Sequence, residues 1–155
     1  RPPRTTLFPY TTLFRSKKWL DGAVITGGEP TILKDLNLFL KKIKQLGYQI
    51  KLDTNGSNPK VLKNLIEDGL IDYIAMDIKT ILDLRKYQEI CNSDDPLLLT
   101  KIKASIKILK ESGLEYQLRT TIIPKYHSQS TIYLLLKEFS YCDYRLQEYR
   151  PIQLS

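Results

Sequence analysis

Asp21-Gly-Ala-Val-Ile-Thr-Gly-Gly-Glu-Pro30 is the stretch that decides how the rest of the chain is read. A short apolar strand carrying β-branched Val24 and Ile25 runs straight into two glycines, an acid and a proline. Paired glycines at the C-terminal end of a strand let backbone N–H and C=O groups approach a ligand with no Cβ in the way. Glu29 places a carboxylate at that same end, which is where barrel-like α/β folds gather their chemistry.

Downstream, the alternation of strand and helix signals is regular. From Ile32 to Leu46 the apolar positions Ile32, Leu36, Phe39, Leu40, Ile43 and Leu46 recur at three- and four-residue steps, and Gly47 follows as a stop, so the spacing predicts an amphipathic helix. A strand over Gln49–Asp53 ends in Thr54-Asn-Gly56, and Asn58-Pro59 reads as an N-cap followed by proline at the first helical position. The helix it opens runs through Val61, Leu62, Leu65 and Ile66 to Gly69. Tyr73–Met76 is the next strand and ends in Asp77-Ile-Lys79. The polar stretch Thr80–Pro96 shows no period and reads as a partly irregular connection. A helix over Leu99–Ser112 faces inward through Ile102, Ile106 and Leu109, and Glu115–Ile123 alternates as a strand until Pro124 closes it. Ser128 caps a helix through Ile132, Leu135, Leu136 and Phe139, and a last strand lies near Tyr144–Tyr149. No two strands are adjacent in sequence, which implies a parallel sheet with crossover helices. An open doubly wound sheet and a full or partial barrel both satisfy this order.

Upstream of Asp21 the reading changes. Lys17–Leu20 looks like the tail of a helix, whereas Thr6-Leu-Phe-Pro-Tyr-Thr-Thr-Leu-Phe-Arg-Ser16 resembles the translation of a sequencing adapter. Residues 1–16 are therefore set apart as a non-native, disordered scar. A signal peptide is the competing reading, but Pro9, Tyr10 and the threonines interrupt the continuous apolar core that it needs.

The formal net charge of the 155 residues is +7; Arg1, Arg4 and Arg15 carry three of these charges, leaving +4. Lysines fall on helix faces, as with Lys41, Lys42 and Lys44, without interleaved aromatics, so a solvated face is expected rather than a nucleic-acid footprint. No apolar run reaches the length of a transmembrane helix, and no membrane partner is expected. The two cysteines, Cys91 and Cys142, have neither metal-ligand nor framework spacing, and a reducing cytoplasmic compartment suits them.

Polar residues collect at the strand ends: Gly27, Gly28 and Glu29 after the first strand, Asp53, Thr54 and Asn55 at the second, Asp77 and Lys79 at the third. Arg119, Thr120 and Thr121 lie in the fourth strand, and Gln147, Glu148 and Arg150 at the end of the fifth. Strand ends are polar wherever loops begin. Charged Asp53, Asp77 and Lys79 beside apolar runs nevertheless describe a binding rim, because burial without partners is costly. No Ser/His/Asp arrangement exists, and spacing does not establish Glu29 and Asp77 as an acid/base pair, so no catalytic residue is assigned. A phosphate loop is not supported, since Gly27-Gly28 lacks the downstream lysine. His127, the sole histidine, follows Pro124-Lys-Tyr and reads as a solvated loop residue.

Asp21–Pro30, Lys51-Leu-Asp-Thr-Asn-Gly-Ser57, Asp72-Tyr-Ile-Ala-Met-Asp-Ile-Lys79 and Arg119-Thr-Thr-Ile-Ile-Pro124 together resemble the radical S-adenosylmethionine (SAM) proteins that activate anaerobic ribonucleoside-triphosphate reductase, relatives of the pyruvate formate-lyase activases. The resemblance covers nearly all of Lys17–Pro151. It implies a partial (β/α)6 TIM-like barrel within residues 17–155, lacking its first strand and cluster loop. Gly27, Gly28, Glu29 and Pro30 then match the motif that holds the SAM amino group. Asp53 and Thr54 match positions near the SAM carboxylate and, in some relatives, a monovalent cation; Asp77 and Lys79 match a pair near the SAM ribose and carboxylate. His127 is a poor match to the activases' SAM-contacting histidine.

The resemblance further implies a 4Fe-4S cluster, an electron donor such as flavodoxin or ferredoxin, and a glycyl-radical partner enzyme. The family's Cys-x-x-x-Cys-x-x-Cys motif is absent: nothing before Asp21 is a cysteine, and Cys91 and Cys142 do not replace it. Truncation at the scar accounts for that, and the expected outcome is an inactive fragment whose parent cleaves SAM; the C-terminus is expected to be cut as well. A radical SAM enzyme acting on a small molecule, of the deazapurine synthase type, and a cluster-free SAM-binding protein are the alternatives.

Overall fold

The computed structural model describes residues 21–149; the adapter-like segment, the Lys17–Leu20 helix tail and Arg150-Pro151 lie outside them. In chain order the elements are β1 (Gly22–Ile25), a 3-10 turn (Pro30–Ile32), α1 (Leu36–Gln45), β2 (Gln49–Thr54), α2 (Pro59–Glu67), β3 (Tyr73–Asp77), α3 (Leu84–Cys91), α4 (Leu98–Glu111), β4 (Glu115–Ile122), α5 (Gln129–Glu138) and β5 (Asp143–Glu148).

All four strand pairings are parallel, and the spatial order is β1-β2-β3-β4-β5, the order of the sequence. A doubly wound sheet reverses direction at a switch point, whereas a barrel wall adds each strand beside the last. Among the described residues the order never reverses, which fits a partial barrel wall rather than the doubly wound alternative left open by the strand-helix pattern.

One face of the sheet carries the core. Ile50, Leu52, Ile74, Met76 and Leu118 point into a single apolar cluster with Leu40 and Ile43 of α1, Leu62 and Leu65 of α2, Ile102 and Leu109 of α4, and Leu135 of α5. The intervening residues Lys51, Asp53, Tyr73, Asp77, Gln117 and Arg119 are half-buried and lie outside that cluster. Strand periodicity of two separates the faces, so one wall holds both an apolar exterior layer and a polar inner row.

Four local expectations need correction. The helix expected from Ile32 begins at Leu36: Pro30 starts a 3-10 turn, Leu33 is extended, and Ile32 is exposed rather than inward. Asn58 makes no side-chain cap on α2; its Nδ2 donates to Thr31 Oγ1 at 2.9 Å. Leu136 of α5 is exposed, and Leu135 and Phe139 carry that helix into the core. Thr80–Pro96 is not simply irregular, because it contains α3. Asp83 caps this helix by accepting from Lys86 N at 3.0 Å, Asn92 ends it in the left-handed region, and Tyr87 is its single fully buried side chain. Two turns with one buried residue offer no period to detect.

Candidate functional site

The loop after β1 turns on Gly27 (φ +99°) and Gly28 (φ +54°), a left-handed pair that residues with a Cβ rarely adopt. A Cβ added to either would meet nothing within 4 Å, so the backbone here is open on its side-chain face. Glu29 follows and caps the 3-10 turn, with Pro30 at its first position.

Glu29 is tied to β2. Its Oε1 accepts from Thr31 N (3.2 Å), Thr31 Oγ1 (2.5 Å) and Thr54 Oγ1 (2.7 Å), and its Oε2 accepts from Asn55 N (2.6 Å). Thr54 Oγ1 also accepts from Gly56 N at 3.1 Å. The carboxylate is thereby held at the top of the sheet between β1 and β2, while Oε2, with a single donor, retains capacity for another. Behind it, Gly56 (φ +73°) packs against Met76, whose Cε would lie 2.1 Å from an added Cβ, and Ser105 Oγ of α4 donates to Gly56 O at 2.7 Å. The loop that Glu29 grips is therefore anchored to the core.

A second network occupies the inner row. Arg119 donates from Nε to Asp77 Oδ1 (2.5 Å) and from Nη2 to Asp53 Oδ2 (3.1 Å). Register explains the meeting: Asp77 pairs with Arg119 across β3 and β4, and Asp53 lies one strand further on, beside Ala75. Lys51 Nζ is 3.4 Å from Asp53 Oδ1, and Lys79 Nζ is 3.3 Å from Asp77 Oδ2. Burial works against the Arg119 charge, but Asp77 and then Asp53 more than offset it, and the guanidinium is held above its usual range. Asp53 Oδ1 is buried without a hydrogen bond; the Lys51 contact is an ion pair only.

Among the expected site residues, the structure joins Glu29 to Thr54 and joins Asp53 to Asp77 and Lys79, with Gly27, Gly28 and Pro30 forming the approach to the first group. Asp53 and Thr54 are consecutive and so face opposite ways, one into each network. Asn55 and Arg119, which the sequence places on the polar rim, belong to these networks; Thr31, to which the sequence gives no role, joins them through Glu29.

His127 is corrected outright: it is 4% exposed, not solvated. Its Nδ1 lies 2.9 Å from Ile123 N and 3.2 Å from Ile123 O, and its Nε2 lies 2.8 Å from Lys79 O; with Ile123 N donating to Nδ1, Nε2 is left to donate to Lys79 O.

Sheet, open glycine turn and paired charge networks define a class: parallel α/β barrel walls that gather open backbone and paired charges at the strand C-termini. The description of the Radical SAM superfamily matches residues 12–133, and the chain belongs to that superfamily. A Methanocaldococcus jannaschii protein bearing the name of a glycyl-radical enzyme activating enzyme is 37% identical over 135 residues, covering 84% of this chain and 55% of the relative. A 7-carboxy-7-deazaguanine synthase of Thermococcus kodakarensis is 36% identical over 89 residues, covering 57% of this chain and 32% of that protein. Among solved structures, a domain of a pyruvate-formate lyase-activating enzyme from Bacteroides vulgatus superposes with a TM-score of 0.62 at 20% identity, covering 81% of this chain and 75% of that one. The chain spans about half the length of the first of these relatives.

The family implies SAM and a 4Fe-4S cluster, and the residues fit the two differently. The open Gly27-Gly28 backbone, the remaining capacity of Glu29 Oε2 and the mixed charges of the inner row suit the ammonium and carboxylate of an amino acid. Cluster iron in this family needs cysteine thiolates. Cys91 is exposed at the end of α3, Cys142 is half-buried before β5, and among the described residues no three candidate ligands cluster. These residues do not fit the cluster.

Proposed function

We propose that this chain is the SAM-holding portion of a glycyl-radical enzyme activating protein, with anaerobic ribonucleoside-triphosphate reductase as the partner. Glu29 and the Gly27-Gly28 backbone take the SAM ammonium, Lys79 its carboxylate, and Asp77 its ribose hydroxyls, while Arg119 keeps Asp53 and Asp77 fixed. The one-electron chemistry of a 4Fe-4S cluster would have to come from cysteines that this chain does not carry, with flavodoxin or ferredoxin as the class of donor. What these residues would do is bind the amino-acid end of SAM and fix its orientation.

The observation that carries this reading is the Glu29 carboxylate, held by Thr31, Thr54 and Asn55 with one oxygen still able to accept, beside two glycines open to a ligand. The similarity to the activating-enzyme relative supports it further, because that match extends over 84% of the chain against 57% for the deazaguanine synthase. A small-molecule radical SAM enzyme of the latter kind is the second reading.

Two experiments test the proposal. The 155-residue chain treated anaerobically with iron and sulfide is expected to hold no stable cluster and to leave SAM intact; SAM cleavage by it would refute the fragment assignment. The full-length parent, with SAM, reductant and the reductase, is expected to produce a glycyl-radical signal in electron paramagnetic resonance. Formation of a deazapurine product without that signal would move the assignment to the second reading.

A further inference from the structure

The dipeptide Ile78-Lys79 leaves β3 with all four of its backbone polar groups engaged. Ile78 N donates to Arg119 O (2.8 Å), and Ile78 O accepts from Thr120 Oγ1 (2.7 Å). Lys79 N donates to Tyr87 Oη (3.1 Å), and Lys79 O accepts from His127 Nε2 (2.8 Å). The four partners come from β4, α3 and the turn after β4, and the side chains of Tyr87, Thr120 and His127 are all buried. Lys79 itself is 40% exposed and reaches Asp77 Oδ2. A flexible surface lysine needs no such backbone fixation, which restricts where its four-carbon stem can swing.

We propose that His127 and Tyr87 form a clamp on the Lys79 backbone and are positioning residues that aim the Lys79 ammonium at the ligand beside Asp77. The proposal rests on the reading that Lys79 faces SAM. His127 has two separable duties. Nδ1 closes the Pro124–His127 turn through Ile123 N, and Nε2 reaches across to Lys79. Tyr87 explains the placement of α3: its hydroxyl is the sole polar group of a fully buried side chain, and it accepts from the Lys79 amide.

The test uses the full chain, SAM titrations followed by NMR, and variants that divide the ring's duties. In His127→Gln the amide nitrogen stands near Nε2 and keeps the bond to Lys79; in His127→Asn the amide oxygen stands near Nδ1 and keeps only the turn. The expected result is SAM affinity within about twofold of the parent for His127→Gln, and a loss of about five- to tenfold for His127→Asn, the worth of one positioned hydrogen bond. In a Lys79→Met background the His127→Asn substitution is expected to add nothing, since the clamp acts through the lysine. Equal losses for Asn and Gln, or an undiminished His127→Asn effect without Lys79, overturn the proposal. Should His127→Asn fail to fold, Tyr87→Phe releases the other end of the clamp and is judged by the same Lys79→Met cycle.

If the parent chain binds no SAM, the proposed function fails while the clamp is still decided by Lys79 acylation with acetic anhydride, read by mass spectrometry. Faster acylation in His127→Asn or Tyr87→Phe than in the parent and His127→Gln supports the clamp; equal rates overturn it.

Discussion

The two faces of the same five strands are built on opposite principles. Towards the helices, Leu52, Ile74, Met76 and Leu118 are wholly buried and need nothing from their neighbours but shape. On the inner row, one residue away along each strand, Lys51, Asp53, Asp77 and Arg119 lie between water and protein and depend on one another for charge balance. Parallel sheets are ordinarily apolar on both faces, so a polar inner row gives up burial that the outer face keeps.

That contrast is open to direct attack. The largest effect is expected from Leu52→Ala, which removes a fully buried side chain and costs about 2–5 kcal/mol. Its neighbour Lys51→Ala, which loses one long ion pair to Asp53, is expected to cost no more than about 1 kcal/mol. Urea denaturation of the two variants compares the faces, and equal losses would erase the distinction. Next, Arg119→Met leaves Asp53 and Asp77 without their shared guanidinium, and the expected loss is about 2 kcal/mol. Adding Asp53→Asn to Arg119→Met should recover part of it, because one uncompensated charge is gone; a further loss would show that the Lys51 ion pair alone compensates the Asp53 charge.

A smaller effect belongs to pH. Burial holds the Tyr87 phenol well above its ordinary value near 10, although its bond from the Lys79 amide works the other way. The unfolded chain releases this proton near pH 10 while the folded chain keeps it. The tyrosine's contribution is therefore complete below pH 10 and declines as pH rises towards the folded-state value. Stability should fall with pH above 10, and less steeply in Tyr87→Phe. Half-buried Tyr144, raised chiefly by burial, shifts the same way, so the slope is reduced rather than abolished.

How much of this was legible in the sequence follows the same division. Every strand was readable because β-branched and apolar alternation is a local signal, and so was the acidic and basic rim at the strand ends. What local pattern could not supply was partnership. The Thr31-Glu29-Thr54 network joins residues more than twenty positions apart, and Arg119 meets Asp53 only through the register of three strands. His127 looked like a loop residue because both of its partners are backbone groups, which leave no trace in residue identity. Helix α3 was hidden for a different reason: its order comes from one cap and one buried tyrosine. Sequential strand order, which distinguishes a barrel wall from a doubly wound sheet, is a property of the assembled sheet alone.

The central claim is that the inner rim at the strand C-termini holds the amino-acid end of SAM. Titrating SAM into the uniformly 15N-labelled chain and following backbone amide resonances tests it most directly. Saturable shifts centred on Gly27, Gly28, Asn55 and Lys79, lost in Glu29→Ala, are the expected result. Shifts that are absent there, or that fall instead on the groove between Leu33 and Lys42, would contradict it.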